Sequence, residues 1–409
     1  MEQVEHRKER TRDLEELPRR IKGEVYERLS RVIDPELGRS VTDLGMITDI
    51  IVEPARDAQA DYEVTVRVEL TIKGCPLSTT ITNQINGTVT SYPRARLRPH
   101  IDVSSMSREK LNNLVADLKA ARRSNPFSKP GVGTRIFAIA SGKGGVGKSS
   151  VTVNLAATLA ALGYDTAAID ADIYGFSLPG LFGVHSQPTN LNGMLMPVTA
   201  WGVKLISIGM FAGSDRAILW RGPRLQRSLE QFLSDVWWGD PDVLLLDLAP
   251  GTGDMALSVA QALPNSRLIV VTTPQPSASQ VAVRSGLVAL QLPTKVQGVI
   301  ENMSWYEHHG ERLRIFGQGG GQRVADQLTR DLGYQVPLLE QLPLQTDLRE
   351  SGESGRPAVL RSDGSLDDSS LTRRFVDLAK TLMAGSEPGD ARRAAGEDRL
   401  SQRGLTLKR

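Results

Sequence analysis

A chain of 409 residues with 40% apolar side chains is long enough for two domains with packed cores. Its 49 basic and 47 acidic residues leave a formal charge of +2, which calls for no nucleic-acid partner. The single cysteine, Cys75, excludes an intrachain disulfide, and no run approaches the ~18 apolar residues that span a bilayer.

The first stretch, residues 1–19, is charged throughout and reads as a tail rather than a secretory signal, so a cytoplasmic protein free of membranes is expected. Residues 20–120 then alternate as helix, strand, strand, helix, strand, helix. The segments are IKGEVYERLSRVI, LGMITDIIVE, YEVTVRVELTI, LSTTITNQINGTVTSY, ARLRPHIDV and SREKLNNLVADLKAA, which together make a small α+β domain. The basic run Arg94 to His100 reads as an exposed sheet face. Pro, Gly and Ser concentrate in residues 121–134, a linker.

From 135 to 384 the pattern changes to short apolar strands separated by helices. IFAIA, TAAID, KLISIG, VLLLDLA, RLIVVTT and VQGVIEN are the strands, and their spacing suits crossover connections in a mainly parallel sheet of the α/β class. Residues 385–409 are charged and poor in large apolar groups, the composition of a disordered tail.

The stretch SGKGGVGKSS lies between the strand IFAIA and a helical run. Gly142, Gly147, Lys148 and Ser149 fit the spacing G-x-x-x-x-G-K-S of a phosphate-binding loop. Glycines let the backbone N–H groups of Gly142, Gly144, Gly145, Val146 and Gly147 converge on phosphate oxygens, and the helix opening at Lys148, Ser149 and Ser150 adds its positive end. Lys148 would neutralise the β- and γ-phosphates of ATP, and Ser149 would hold Mg²⁺. Lys143 is an extra cation, too near the loop's start to reach its own γ-phosphate easily. It either rims the loop in solvent or reaches across a dimer to a partner's nucleotide.

Two acidic strand ends complete the chemistry. TAAID delivers Asp170, and Asp172 follows in the connection; one would support the Mg²⁺ shell and the other, Asp172, would orient the attacking water. VLLLDLAPGTGD delivers Asp247, the form of a carboxylate that binds Mg²⁺ through water, before a turn at Pro250 to Gly253 that could sense the γ-phosphate.

These segments, with AIDADIYGFSLPGLFG, VTTPQPSA, VIENMSW and IFGQGGGQRVA, resemble the deviant-Walker P-loop ATPases, and within them the Mrp/NBP35 (ApbC) iron–sulfur cluster carriers. DPELGRSVTDLGMI and VELTIKGCPLSTTI in the first domain resemble the MIP18 (DUF59) family. The resemblance implies a homodimeric ATPase that delivers clusters from a scaffold to apo-acceptor proteins, with Lys143 contacting ATP across the dimer. It also implies that Asn302 recognises adenine and that Pro343 lies at the base-binding turn.

One departure bears on the cargo. The family's C-x-x-C pair, the usual holder of a shared [4Fe-4S] cluster, is replaced by ENMSWYEHHGERLRIFG, which has no cysteine. His308 and His309 stand in roughly that place, as exposed side chains or as ligands converging only in an irregular loop or across a dimer. Cys75 remains as a candidate cluster ligand, low in its pKa if a helix starts beside it, or as a structural cysteine. The alternative to a carrier is an ATP-dependent dimeric switch that regulates or assembles a partner complex without binding a cluster itself.

Overall fold

The computed structural model describes residues 2–71, 78–120, 125–128, 133–172, 175–211, 222–251, 254–291 and 294–384. Cys75, most of the expected linker and the expected C-terminal tail lie outside them. The chain divides into two compact units, Met1–Ala121 and Arg122–Arg409.

In the first unit the element order is α1 (Glu2–Leu29), β1 (Ile47–Pro54), β2 (Tyr62–Leu70), α2 (Ser78–Thr90), β3 (Leu97–Ser105) and α3 (Arg108–Ala120). One boundary differs from the sequence reading, because the segment expected as a charged tail is the first part of α1. Glu, Lys and Arg are good helix formers, so charge alone does not unmake a helix. In the segment expected as a helix, Ile21, Val25 and Leu29, four apart on one face, are buried. In the sheet, ordered β1-β2-β3, β2 runs antiparallel to β1 and parallel to β3. Val64, Val66 and Val68 alternate into the core. The basic run is a solvated face: Arg94 pairs with Glu24, Arg96 with Asp61, and Arg98 with Asp57 and Glu63.

The second unit begins with β4 (Arg135–Ser141), α4 (Lys148–Ala161), β5 (Thr166–Ala171) and the single-turn α5 (Leu178–Leu181). Short strands β6 (Thr189–Leu191), β7 (Met194–Met196) and β8 (Val198–Ala200) lead to β9 (Val203–Ser207), α6 (Gly222–Ser234), β10 (Val243–Leu248), α7 (Asp254–Ala262), β11 (Arg267–Thr272) and α8 (Pro276–Leu287). The chain continues through β12 (Lys295–Glu301), β13 (Tyr306–His308), β14 (Glu311–Leu313), α9 (Gly320–Leu332), β15 (Leu338–Gln341), α10 (Thr346–Ser354) and α11 (Ser370–Met383).

Eight of these strands form one sheet, ordered β15-β12-β11-β4-β10-β5-β9-β8, parallel except at the β8–β9 edge. Its central strands are buried on both faces, as their unbroken apolar runs require. One face packs a core that includes Trp238, Leu233 and Leu328, and the other a core with Phe137, Phe182 and Phe375. Each such side chain contributes about 1.5–3 kcal/mol by its burial. That stiff support fixes the carboxyl ends of β4, β5 and β10 side by side.

Candidate nucleotide-binding site

β10 lies between β4 and β5, and its register sets Asp247 opposite Ile139 on one side and Asp170 on the other. Asp170 in turn lies opposite Ser207 of β9. Two carboxylates from separate strands therefore sit in one row at the sheet's carboxyl edge, both with no exposed surface.

The loop that closes over this row runs from β4 to α4. Gly145 and Gly147 hold φ of 81° and 80°, the left-handed region that a side chain would strain. Gly147 caps α4 without any side-chain bond, which leaves the helix's first N–H groups and positive end facing outward. Space around Gly144 and Gly145 is open, whereas the far side is packed: a methyl at Gly142 would strike the backbone of Val281 and Ala282 in α8. Gly142→Ala is expected to destabilise the protein by about 1–3 kcal/mol and to weaken nucleotide binding, read from melting and titration together.

Lys148 and Ser149, at the start of α4, point at Asp247. Nζ of Lys148 lies 2.7 Å from Asp247 Oδ1, and the Ser149 hydroxyl donates to Oδ2 at 2.5 Å. Thr152, one turn on, donates to Oδ1 at 2.9 Å. Asp170 accepts from the N–H groups of Asp172, Ser177 and Leu178 at 3.2, 3.0 and 3.1 Å and from the Ser207 hydroxyl at 3.2 Å. Burial first, then the negative charge of Asp247, push its carboxyl up to about 7, against the lowering pull of those N–H groups and of Lys148.

The residues fit a magnesium nucleotide on chemical grounds. Mg²⁺ takes hard oxygen ligands, keeps several waters and needs only one or two carboxylates besides the phosphates. Asp170, Asp247 and Ser149 are oxygen donors of that kind and could hold it, and among the described residues no larger group of His, Cys, Asp or Glu could hold a metal.

A model of the NUBPL iron-transfer P-loop NTPases matches residues 133–383. The chain belongs to that family. Residues 22–96 match a second model, described as an iron–sulfur cluster assembly protein. Among this NTPase's relatives, the "Iron-sulfur cluster carrier protein" of Mycobacterium leprae is 46% identical over 88% of this chain and 92% of its own length. The protein of the same name from Mycobacterium tuberculosis is 48% identical over 87% of this chain and 91% of its own. A solved nucleotide-binding protein from Archaeoglobus fulgidus, in complex with ADP, is 32% identical over 57% of this chain and 90% of that one, with a TM-score of 0.46.

Elsewhere in the NTPase unit, the other expected site residues fall as follows. Asp172 is buried, and its Oδ1 accepts from the Gly175 N–H at 3.0 Å. Lys143 is exposed on the loop and donates to Ser277 Oγ at 2.9 Å, at the start of α8. Ser150 is half-buried, and its carbonyl accepts from Asn154 at 2.8 Å. Asn302 reaches the loop itself, donating through Nδ2 to the Val146 carbonyl at 2.9 Å and packing against Gly147. Backbone bonds from Leu342 to Glu301 and from Ser304 to Leu342 bring the buried Pro343 alongside it. In the Pro250–Gly253 turn, the Gly251 N–H donates to the Ser141 carbonyl at 2.7 Å, while residues 252 and 253 lie outside the described set.

His308 and His309 are exposed at the tip of the β13–β14 hairpin, with ring centroids 4.2 Å apart. His309 and Gly310 both have positive φ, 48° and 82°, as a tight two-residue hairpin turn demands. Among the described residues no third His, Cys, Asp or Glu joins them.

Four hydroxyls were not anticipated from the sequence. Thr152 and Ser207 hold the two carboxylates, and only Thr152 carried a signal, its position four residues after Lys148 on the same helix face. Ser177 Oγ and Thr273 Oγ1, on the loops after β5 and β11, are buried with no hydrogen-bond partner. No helix among the described residues is long and apolar enough to cross a membrane.

Proposed function

We propose that this P-loop NTPase is a homodimeric, Mg²⁺-dependent ATPase of the cytoplasm that carries iron–sulfur clusters to apoproteins. The observation that supports the ATPase is the row of Asp170 and Asp247 facing Lys148 and Ser149 at the end of the glycine loop. Bound Mg²⁺ would neutralise charge on the β- and γ-phosphates. Lys148 would leave Asp247 for those phosphates, and Ser149, Asp170 and Asp247 would hold the metal. Asp172 orients the water that attacks the γ-phosphorus, giving ADP and phosphate. Lys143 exchanges Ser277 for the partner's nucleotide, and Asn302 with Pro343 contacts the base.

The carrier assignment is supported by the family and by the names of relatives that share most of the chain's length. With one cysteine per chain, a homodimer has two thiolates, Cys75 and its copy, too few for a cysteine-only [4Fe-4S] site. The cargo cluster would therefore be labile or shared, completed by ligands from a scaffold or a recipient. That same cysteine count favours a second reading, the ATP-driven dimeric switch that works on a partner complex and binds no cluster.

Anaerobic reconstitution with iron and sulfide separates the two. A carrier yields stoichiometric iron and acid-labile sulfide per dimer and transfers them to an apo-acceptor; a switch yields ATP turnover with no bound cluster. Cys75→Ser is expected to keep ATP turnover within about two-fold of wild type while losing transfer. Equal transfer by the variant and the wild type would remove Cys75 from the cargo site.

A further inference from the structure

Of the three donors to the buried Asp247 carboxylate among the described residues, two have other work once a nucleotide binds. Lys148 is needed at the phosphates and Ser149 at the metal, and both belong to the loop end of α4. Thr152 does not share that duty. It has no exposed surface, lies a turn deeper in α4, and among the described residues its hydroxyl meets the Lys148 carbonyl at 3.0 Å and Asp247 Oδ1 at 2.9 Å. One hydroxyl hydrogen serves two acceptors, and an ionised carboxylate that has lost its ammonium partner is the stronger of them. A carboxylate left buried without a donor is costly.

We propose that Thr152 is the positioning residue that holds Asp247 while Lys148 and Ser149 change partners. By fixing Oδ1 it leaves Oδ2, the oxygen Ser149 vacates, directed at the Mg²⁺ shell. Thr152 touches neither phosphate nor metal and acts only through Asp247. The inference rests on the nucleotide reading given above.

Thr152→Val replaces the hydroxyl with a methyl of similar size, so packing in α4 is kept, and Thr152→Ser restores the donor. The full chain and both variants are titrated with a fluorescent ADP analogue across a Mg²⁺ series and in EDTA, and the nucleotide-free proteins are melted. Loss of one hydrogen bond to a charged group corresponds to about a 10-fold change. Thr152→Val is thus expected to raise the Mg²⁺ concentration for half-maximal binding about 10-fold, with affinity in EDTA within about two-fold of wild type, and Thr152→Ser to return to the wild-type curve. An unchanged Mg²⁺ dependence in Thr152→Val overturns the proposal, as does a loss of equal size in EDTA, which marks a fault in α4 itself. Wild type that binds no nucleotide would take the nucleotide reading down as well; wild type that binds with normal Mg²⁺ dependence beside an indifferent Thr152→Val removes Thr152 alone.

Discussion

Lys148→Ala should unfold more easily than wild type even with no nucleotide present. The lysine is 6% exposed and its partner Asp247 fully buried, so the variant strands a carboxylate in the protein interior. Removing one member of such a pair costs about 3–5 kcal/mol. Ser149 and Thr152 continue to donate to Asp247, which places the loss toward the lower end of that range. Adding Asp247→Asn to Lys148→Ala removes the stranded charge, so the double variant should recover part of the lost stability, a coupling that urea unfolding of all four proteins measures. Nucleotide affinity should fall about 100-fold or more in the single variant, since the phosphates lose their charge-assisted contact. Equal stability of Lys148→Ala and wild type would mean that the 2.7 Å pair does not form in the nucleotide-free protein.

This double duty of Lys148 was not legible in the sequence, although the loop was. The G-x-x-x-x-G-K-S spacing between an apolar strand and a helix identified the loop because each position has a local steric or electrostatic requirement, and local requirements survive in one dimension. VLLLDLA and TAAID likewise showed that Asp247 and Asp170 end strands. What no spacing could show is that the two strands are neighbours. Strand order 4-10-5 inserts a strand that starts 72 residues after β5 ends between β4 and β5, and the like-charge row exists only through that insertion. The surroundings of Asp172 were not legible for a related reason. A carboxylate following a strand reads as exposed until the Gly175 amide is known to fold back on it. The hairpins β6–β7 and β13–β14, three residues to a strand, are too short for alternation to register. In the first unit, the apolar face of α1 was legible while its charged beginning was not, because only the former repeats every four residues.

Burial of Asp170, and after it the negative charge of Asp247, makes stability depend on pH in a direction opposite to that of most paired carboxylates. Asp170 titrates near 3.8 when unfolded and at about 7 in the fold, so between those values the native state binds the extra proton. Its contribution to stability is complete below the unfolded value and is lost as pH rises through the folded one, with a slope of about 1.4 kcal/mol per pH unit inside the window. Asp170→Asn keeps an oxygen for the Ser177 and Leu178 amides but cannot ionise. Without nucleotide, it should match wild type near pH 4, gain on it steadily toward pH 7, and stand above it at pH 8. With magnesium nucleotide the order should invert, because the ionised carboxylate that destabilises the empty site is the one the Mg²⁺ shell uses. Wild type should then gain stability at pH 8 that the variant does not, and turnover of the variant should drop about 100-fold. Melting curves of both proteins from pH 4 to 8, with and without nucleotide, decide the matter: parallel profiles in the absence of nucleotide would show that Asp170 is already ionised in the native protein and that Lys148 offsets Asp247 more fully than their geometry indicates.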